Sequence, residues 1–167
     1  MIAADIYRPA EWHDFFVMVG GAAAVLTGLV FVALSLNLHL LLTDPMHRAR
    51  SIGTLTNFGG VFLFAAIALM GAETHVSIAI VWILVAMVAG FVYVRPWPTT
   101  HRASPSTLNF VRFTTGTVLY AGEIVGAVLL LSGVEAGLYV TASSMTLLTV
   151  YSITGAWLLV AGAREGG

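Results

Sequence analysis

The chain has no cysteine and no lysine, and only 9% of its 167 residues are charged. Without cysteine there is no thiol-disulfide relay, no iron-sulfur cluster and no thiolate zinc site. Without lysine no retinal-type Schiff base can form, which excludes a rhodopsin-like pigment. Soluble domains carry roughly 25% charged residues, and a chain with so few cannot cover a globular surface with polar groups. A formal net charge of -1, spread over isolated side chains, offers no basic field to nucleic acid. The P-loop, GxGxxG, GxSxG, HExxH and potassium-filter TVGYG patterns are also missing. Neither an enzyme nor a cofactor is expected.

What the chain has in abundance is apolar surface, at 59% hydrophobic residues. Stretches of about 20 such residues are long enough to cross a hydrocarbon core of about 30 Å as helix, and the lipid bilayer becomes the solvent. The reading is an all-α integral membrane helical bundle, a single domain over 1–167 with about five transmembrane helices. They fall near 15–42, 52–70, 76–94, 110–131 and 138–161. The first is the longest and should tilt or protrude at its inner end. Asp44-Pro45 reads as a helix breaker after it, and three prolines interrupt the chain between Arg95 and Thr107. Asp5, Glu11 and Asp14 beside the lone Arg8 lack the basic character of a cleaved signal peptide, so the first helix is expected to be retained.

Alternating the connections between two sides places Arg48, Arg50, Arg95, Arg102, Arg112 and Arg164 on one side and Arg8 on the other. By the positive-inside rule the arginine-rich side is cytoplasmic. The N-terminus is then outside and the C-terminus inside, in a cell membrane, with a bacterial inner membrane expected. Tyr7, Trp12, Phe15 and Phe16 at one boundary, and Tyr93, Trp97 and Trp157 at the other, fit the aromatic belts of such an arrangement.

Helices in lipid associate where small residues let backbones approach. Gly20, Ala24 and Gly28 repeat at four-residue spacing on the first helix, with Thr27 and Phe31 on the same side, and are expected to form a packing stripe. Gly122 and Gly126 form a GxxxG on the fourth helix. The fifth carries Thr141, Thr149 and Ser152 within about a quarter-turn of one another. The third, apolar nearly all round, is expected on the lipid-facing periphery.

Glu123 is the expensive residue. It lies 11 residues beyond Arg112 and 12 before Glu135, which at about 1.5 Å per residue puts it roughly 16 to 18 Å from either boundary. A carboxylate there costs at least about 3 kcal/mol unless it pairs or faces water. No cation in the chain reaches that depth, so the expected resting form is the neutral acid. Thr27 and Thr149 come to a comparable level and are its expected neighbours; with Ser152 they complete a candidate proton or ion site. The alternative is a neutral glutamic acid tying two helices together. Asn37 and Asn57, inside the arginine-rich boundary on adjacent helices, are expected either to clasp each other or to line an inner vestibule with His39. On the opposite side His13, Asp14, Glu73 and His75 are weak candidates for a divalent metal site, without recognised motif spacing.

The run Phe15-Phe16-Val17-Met18-Val19-Gly20-Gly21-Ala22-Ala23-Ala24, continuing to Gly28-Leu29-Val30-Phe31-Val32-Ala33-Leu34-Ser35, resembles the first span of small uncharacterised bacterial multi-pass membrane proteins. The resemblance covers that helix and implies a helical membrane protein, with no functional residue carried over. The functional expectation is a small homo-oligomeric channel or transporter-like protein with Glu123 titrating at its midplane. The alternative is a non-catalytic accessory or scaffold subunit docking a partner membrane protein, and after it a membrane enzyme or haem carrier.

Overall fold

The computed structural model describes residues 9–70, 74–98, 102 and 106–165, and the long elements among them are all helical. In chain order they are α1 (Pro9–Leu36), α2 (Leu38–Thr43), α3 (Pro45–Ala68), α4 (His75–Val94), α5 (Thr107–Leu131) and α6 (Ala136–Glu165). All but the six-residue α2 are long and apolar enough to cross a membrane. Their outward faces carry Val25, Leu29, Phe31, Leu84, Val88, Phe91 and Val118, all exposed. Such a continuous apolar surface suits hydrocarbon and not water.

The first helix begins at Pro9, ahead of the expected 15, and two further boundaries differ by six or seven residues. The first span does not continue to residue 42. It ends at Leu36, where Asn37 leaves helical geometry (φ -117°, ψ 35°) and its side-chain amide donates to the carbonyl of Ala33 at 2.9 Å. An asparagine that bonds its own backbone offers the chain an alternative to helix, and α2 restarts beyond it as a separate short helix with no fully buried residue. The second span begins at Pro45 instead of 52. Asp44-Pro45 starts a helix: the Asp44 carboxylate accepts from the Met46 N–H at 2.8 Å, and Pro45 occupies the first turn, where its missing N–H costs nothing. Arg48 and Arg50 therefore project from a helix and not from a loop.

The spans pack α1 on α3, α3 on α4 and α6, and α4 and α6 on α5, with α5 and α6 in the closest association. That closeness comes from the GxxxG. A Cβ on Gly122 would strike the Ser144 hydroxyl, and one on Gly126 would strike Thr141 and lie 2.9 Å from the Gly137 carbonyl. The two helices are joined by a tight turn through Gly133, whose φ of 78° lies in the left-handed region that glycine enters without steric cost. Its N–H donates to Leu130 and that of Val134 to Leu129, closing the end of α5.

The expected stripe on α1 is corrected. Phe16, Val19, Gly20, Ala23, Val30 and Leu34 are buried, while Ala24, Gly28 and Phe31 face outward. Strict four-residue spacing advances 40° per step around a helix, so Ala24 and Gly28 drift off the face that Gly20 occupies. Gly20 alone makes the close approach, with a would-be Cβ 2.7 Å from that of Ala65. The α4 helix does lie at an edge, exposing Ile80, Leu84, Met87, Val88 and Phe91, but its other face is core: Ile78, Ala79, Trp82 and Ala86 are fully buried. Trp82 stacks on Phe64 at 5.3 Å and donates its indole N–H to the Phe64 carbonyl at 3.1 Å, so its one polar atom is satisfied.

Aromatic side chains cluster at both ends of the bundle. Trp12 meets Phe15, Phe16 and Tyr139 at one end, and Trp97 stacks on Phe113 at 4.0 Å at the other. Arg48, Arg50, Arg95 and Arg112 share the Trp97 end.

Candidate functional site

On α5 the buried positions Gly116, Tyr120, Glu123, Ala127 and Leu130 alternate spacings of four and three, a seam directed at the bundle interior. Glu123 occupies the middle of it with 2% of its surface exposed. Its Oε1 is buried and has no hydrogen-bond partner among the described residues. A carboxylate so placed loses its hydration, and among the described residues no cation pairs with it.

One turn toward the arginine-rich end, polar contacts tie three helices together. The Tyr120 hydroxyl donates to Asn57 Oδ1 at 2.6 Å, and Asn57 Nδ2 donates to the Ser152 hydroxyl at 2.9 Å. All three side chains are buried, so α5, α3 and α6 meet through a two-bond chain shielded from competing water. A second cluster lies beyond it. The Tyr93 and Tyr151 hydroxyls are 2.9 Å apart, and each is 3.1 Å from the Arg112 carbonyl. The Tyr93 ring fits because residue 116 is glycine: a Cβ there would overlap the phenol.

A cavity of about 110 Å³ opens at this end between α3, α5, α6 and the end of α4. Arg50, Arg112, Thr54 and Tyr151 line it, together with the buried Asn57 and Ser152. Arg50 donates through Nη2 to Asn109 Oδ1 at 3.3 Å, and the Arg112 guanidinium lies 6.0 Å from the centre of the Tyr151 ring. The cavity thus reaches the polar chain whose far member, Tyr120, is one helical turn from Glu123.

Of the residues expected to form the ion site and the inner vestibule, Glu123, Asn57 and Ser152 fall in this region, and Thr27, Thr149, Asn37 and His39 do not. The Asn37–Asn57 clasp does not form, because Asn37 bonds to Ala33 while Asn57 faces α5 and α6. His39 is exposed on α2, outside the vestibule. Thr27 donates to the Ala23 carbonyl and Thr149 to that of Met145, so neither hydroxyl bonds to Glu123. Threonines within helices commonly satisfy themselves this way, which depth counting does not reveal. Among the described residues no three metal-binding side chains converge; His13 and Asp14 make an exposed contact at 3.2 Å, and Glu73 lies outside the described residues.

Sequence reasoning missed Tyr93, Tyr120, Tyr151, Arg50 and Arg112 as site residues. Tyr120 was within reach, being three positions before Glu123 on the same helical face. It also missed His47, which is buried, with Nε2 unpartnered among the described residues, beside an apolar cavity of about 320 Å³ between α1 and α6. No protein-family model, curated protein or solved structure matches the chain.

Proposed function

We propose that this protein is a small transporter or channel of the cell membrane in which Glu123 takes up and releases a proton or cation. The observation that carries the reading is the Glu123 carboxyl, 2% exposed and with Oε1 unpartnered among the described residues, one turn from Tyr120, whose bond to Asn57 connects it to the cavity at the arginine-rich end. Ionisable groups placed inside a membrane bundle at such cost mark pathways. The clustering of Arg48, Arg50, Arg95 and Arg112 supports a cytoplasmic mouth for the cavity, with the N-terminus outside, the C-terminus inside and a bacterial inner membrane as the setting. Tyr120 stands between the cavity and the carboxyl, so exchange at Glu123 requires the Tyr120–Asn57 bond to open.

Proteoliposomes containing a pH-sensitive dye test this directly. The wild type should dissipate an imposed proton or cation gradient, and Glu123→Gln, which keeps shape but cannot ionise, should not. Equal flux from both would remove Glu123 from the mechanism, and no flux under any gradient would count against transport.

A second reading rests on the outward face of α1. Gly21, Ala24 and Gly28 lie exposed there, and a Cβ on either glycine would meet nothing within 4 Å. An unused small-residue face supports helix docking, in a homo-oligomer or against a partner membrane protein. Gentle-detergent purification separates the two: a ring of identical chains fits a pore-forming oligomer, and a stoichiometric foreign subunit fits an accessory role.

A further inference from the structure

We infer that the cavity between Arg50 and Arg112 is a binding site for a small oxyanion group, a phosphate or phosphate ester. This goes beyond the transport reading and does not depend on it. Arg50 of α3 and Arg112 of α5 both line this one cavity. Among the described residues no carboxylate lies within ion-pair distance of either. Asp44 acts on Arg50 only from a distance, and its carboxylate is engaged in capping α3.

Like charges gathered around a concave site at the edge of a low-dielectric slab are unfavourable unless an anion sits between them. Arginine also presents the planar fork that matches phosphate oxygens, and the chain places two on separate helices around one space. The lining also supplies a neutral donor: Ser152 Oγ accepts from Asn57, which leaves its own hydrogen available to a guest. The floor is kept open by Gly155, where a Cβ would lie 3.2 Å from the Thr54 hydroxyl and 3.4 Å from Arg112 Nη2. At about 110 Å³ the space accepts a group of a few heavy atoms, since one water occupies about 30 Å³ of liquid. A free phosphate and the phosphate of an anionic lipid headgroup present the same chemistry to this site.

Thermal unfolding of the purified full chain in neutral detergent distinguishes them, with ionic strength held constant by chloride. Inorganic phosphate is added in one arm, and short-chain phosphatidylglycerol in the other, with phosphatidylcholine as its control. A saturating ligand should raise the midpoint by several degrees, as binding to the folded state alone requires. A rise with phosphate assigns a soluble anion, and a rise only with phosphatidylglycerol assigns a lipid headgroup. Arg50→Gln and Arg112→Gln should each lose the response. Asn109→Asp guards against misfolding of those variants: it keeps both arginines and the side-chain shape while presenting Arg50 with an internal carboxylate. It should raise the midpoint without ligand and abolish the rise with ligand. No rise in either arm, or a rise that survives in Asn109→Asp, would overturn the assignment.

Discussion

Replacing Tyr120 by Phe removes a single hydroxyl from the polar chain and leaves the ring packing in place. Its bond to Asn57 is short, 2.6 Å, and both partners are buried. Interhelical hydrogen bonds in membrane proteins average about 0.6 kcal/mol and reach about 1.7. Here Oδ1 of a buried amide loses its Tyr120 donor, so a loss of about 1 to 1.5 kcal/mol is expected for Tyr120→Phe. Asn57→Ala removes the bond to Ser152 as well and leaves a cavity, for a loss of about 2 to 4 kcal/mol. The double variant has only one Tyr120–Asn57 bond to lose. Its destabilisation should therefore fall short of the sum by about 1 kcal/mol, measured by reversible unfolding in mixed micelles. Agreement with simple addition to within about 0.3 kcal/mol would show that the two side chains do not act on each other, and the three-helix link would be wrong.

Gly126→Ala should force α5 and α6 apart, because its Cβ would strike Thr141 and crowd the Gly137 carbonyl; a loss of about 1 to 3 kcal/mol is expected in the same unfolding assay. On α1 two glycines should behave oppositely. Gly20→Leu should destabilise the fold because Ala65 blocks its side chain, whereas Gly28→Leu should leave monomer stability within about 0.5 kcal/mol and weaken only self-association, read by cross-linking in membranes. The absence of native cysteine makes topology simple to map. In intact cells, an impermeant thiol reagent should label Glu135→Cys at once and Ser106→Cys only after permeabilisation. The reverse pattern would place the arginines outside.

Much of the architecture is legible in one dimension. A hydrophobic run either is or is not long enough to cross lipid, and all five expected spans are present as helices. The burial of Glu123 was legible for the same reason, since depth along a helix is a count of residues. Errors began where a residue type serves two purposes. Asp-Pro both breaks a helix and caps the next, and at 44–45 the capping role holds, so the second span starts seven residues earlier than expected. Asn37 reads as a polar partner for another helix but bonds its own carbonyl and ends α1.

The sequence by itself determined that this chain forms five helices long and apolar enough to cross a membrane, with most arginines gathered at one end and one acid stranded deep inside. Those properties depend on length, hydrophobicity and order along the chain. Which side chains meet was decided only by tertiary structure. That Asn57 turns to Tyr120 and Ser152, that Thr27 and Thr149 bond to their own helices, and that Arg50 and Arg112 face one cavity all depend on the rotation of each helix about its axis. In lipid a helix that is apolar around most of its circumference gains little from one rotation over another by hydrophobicity alone. Glycine clearances and a few buried polar bonds set it, and these exist only when all five spans are assembled.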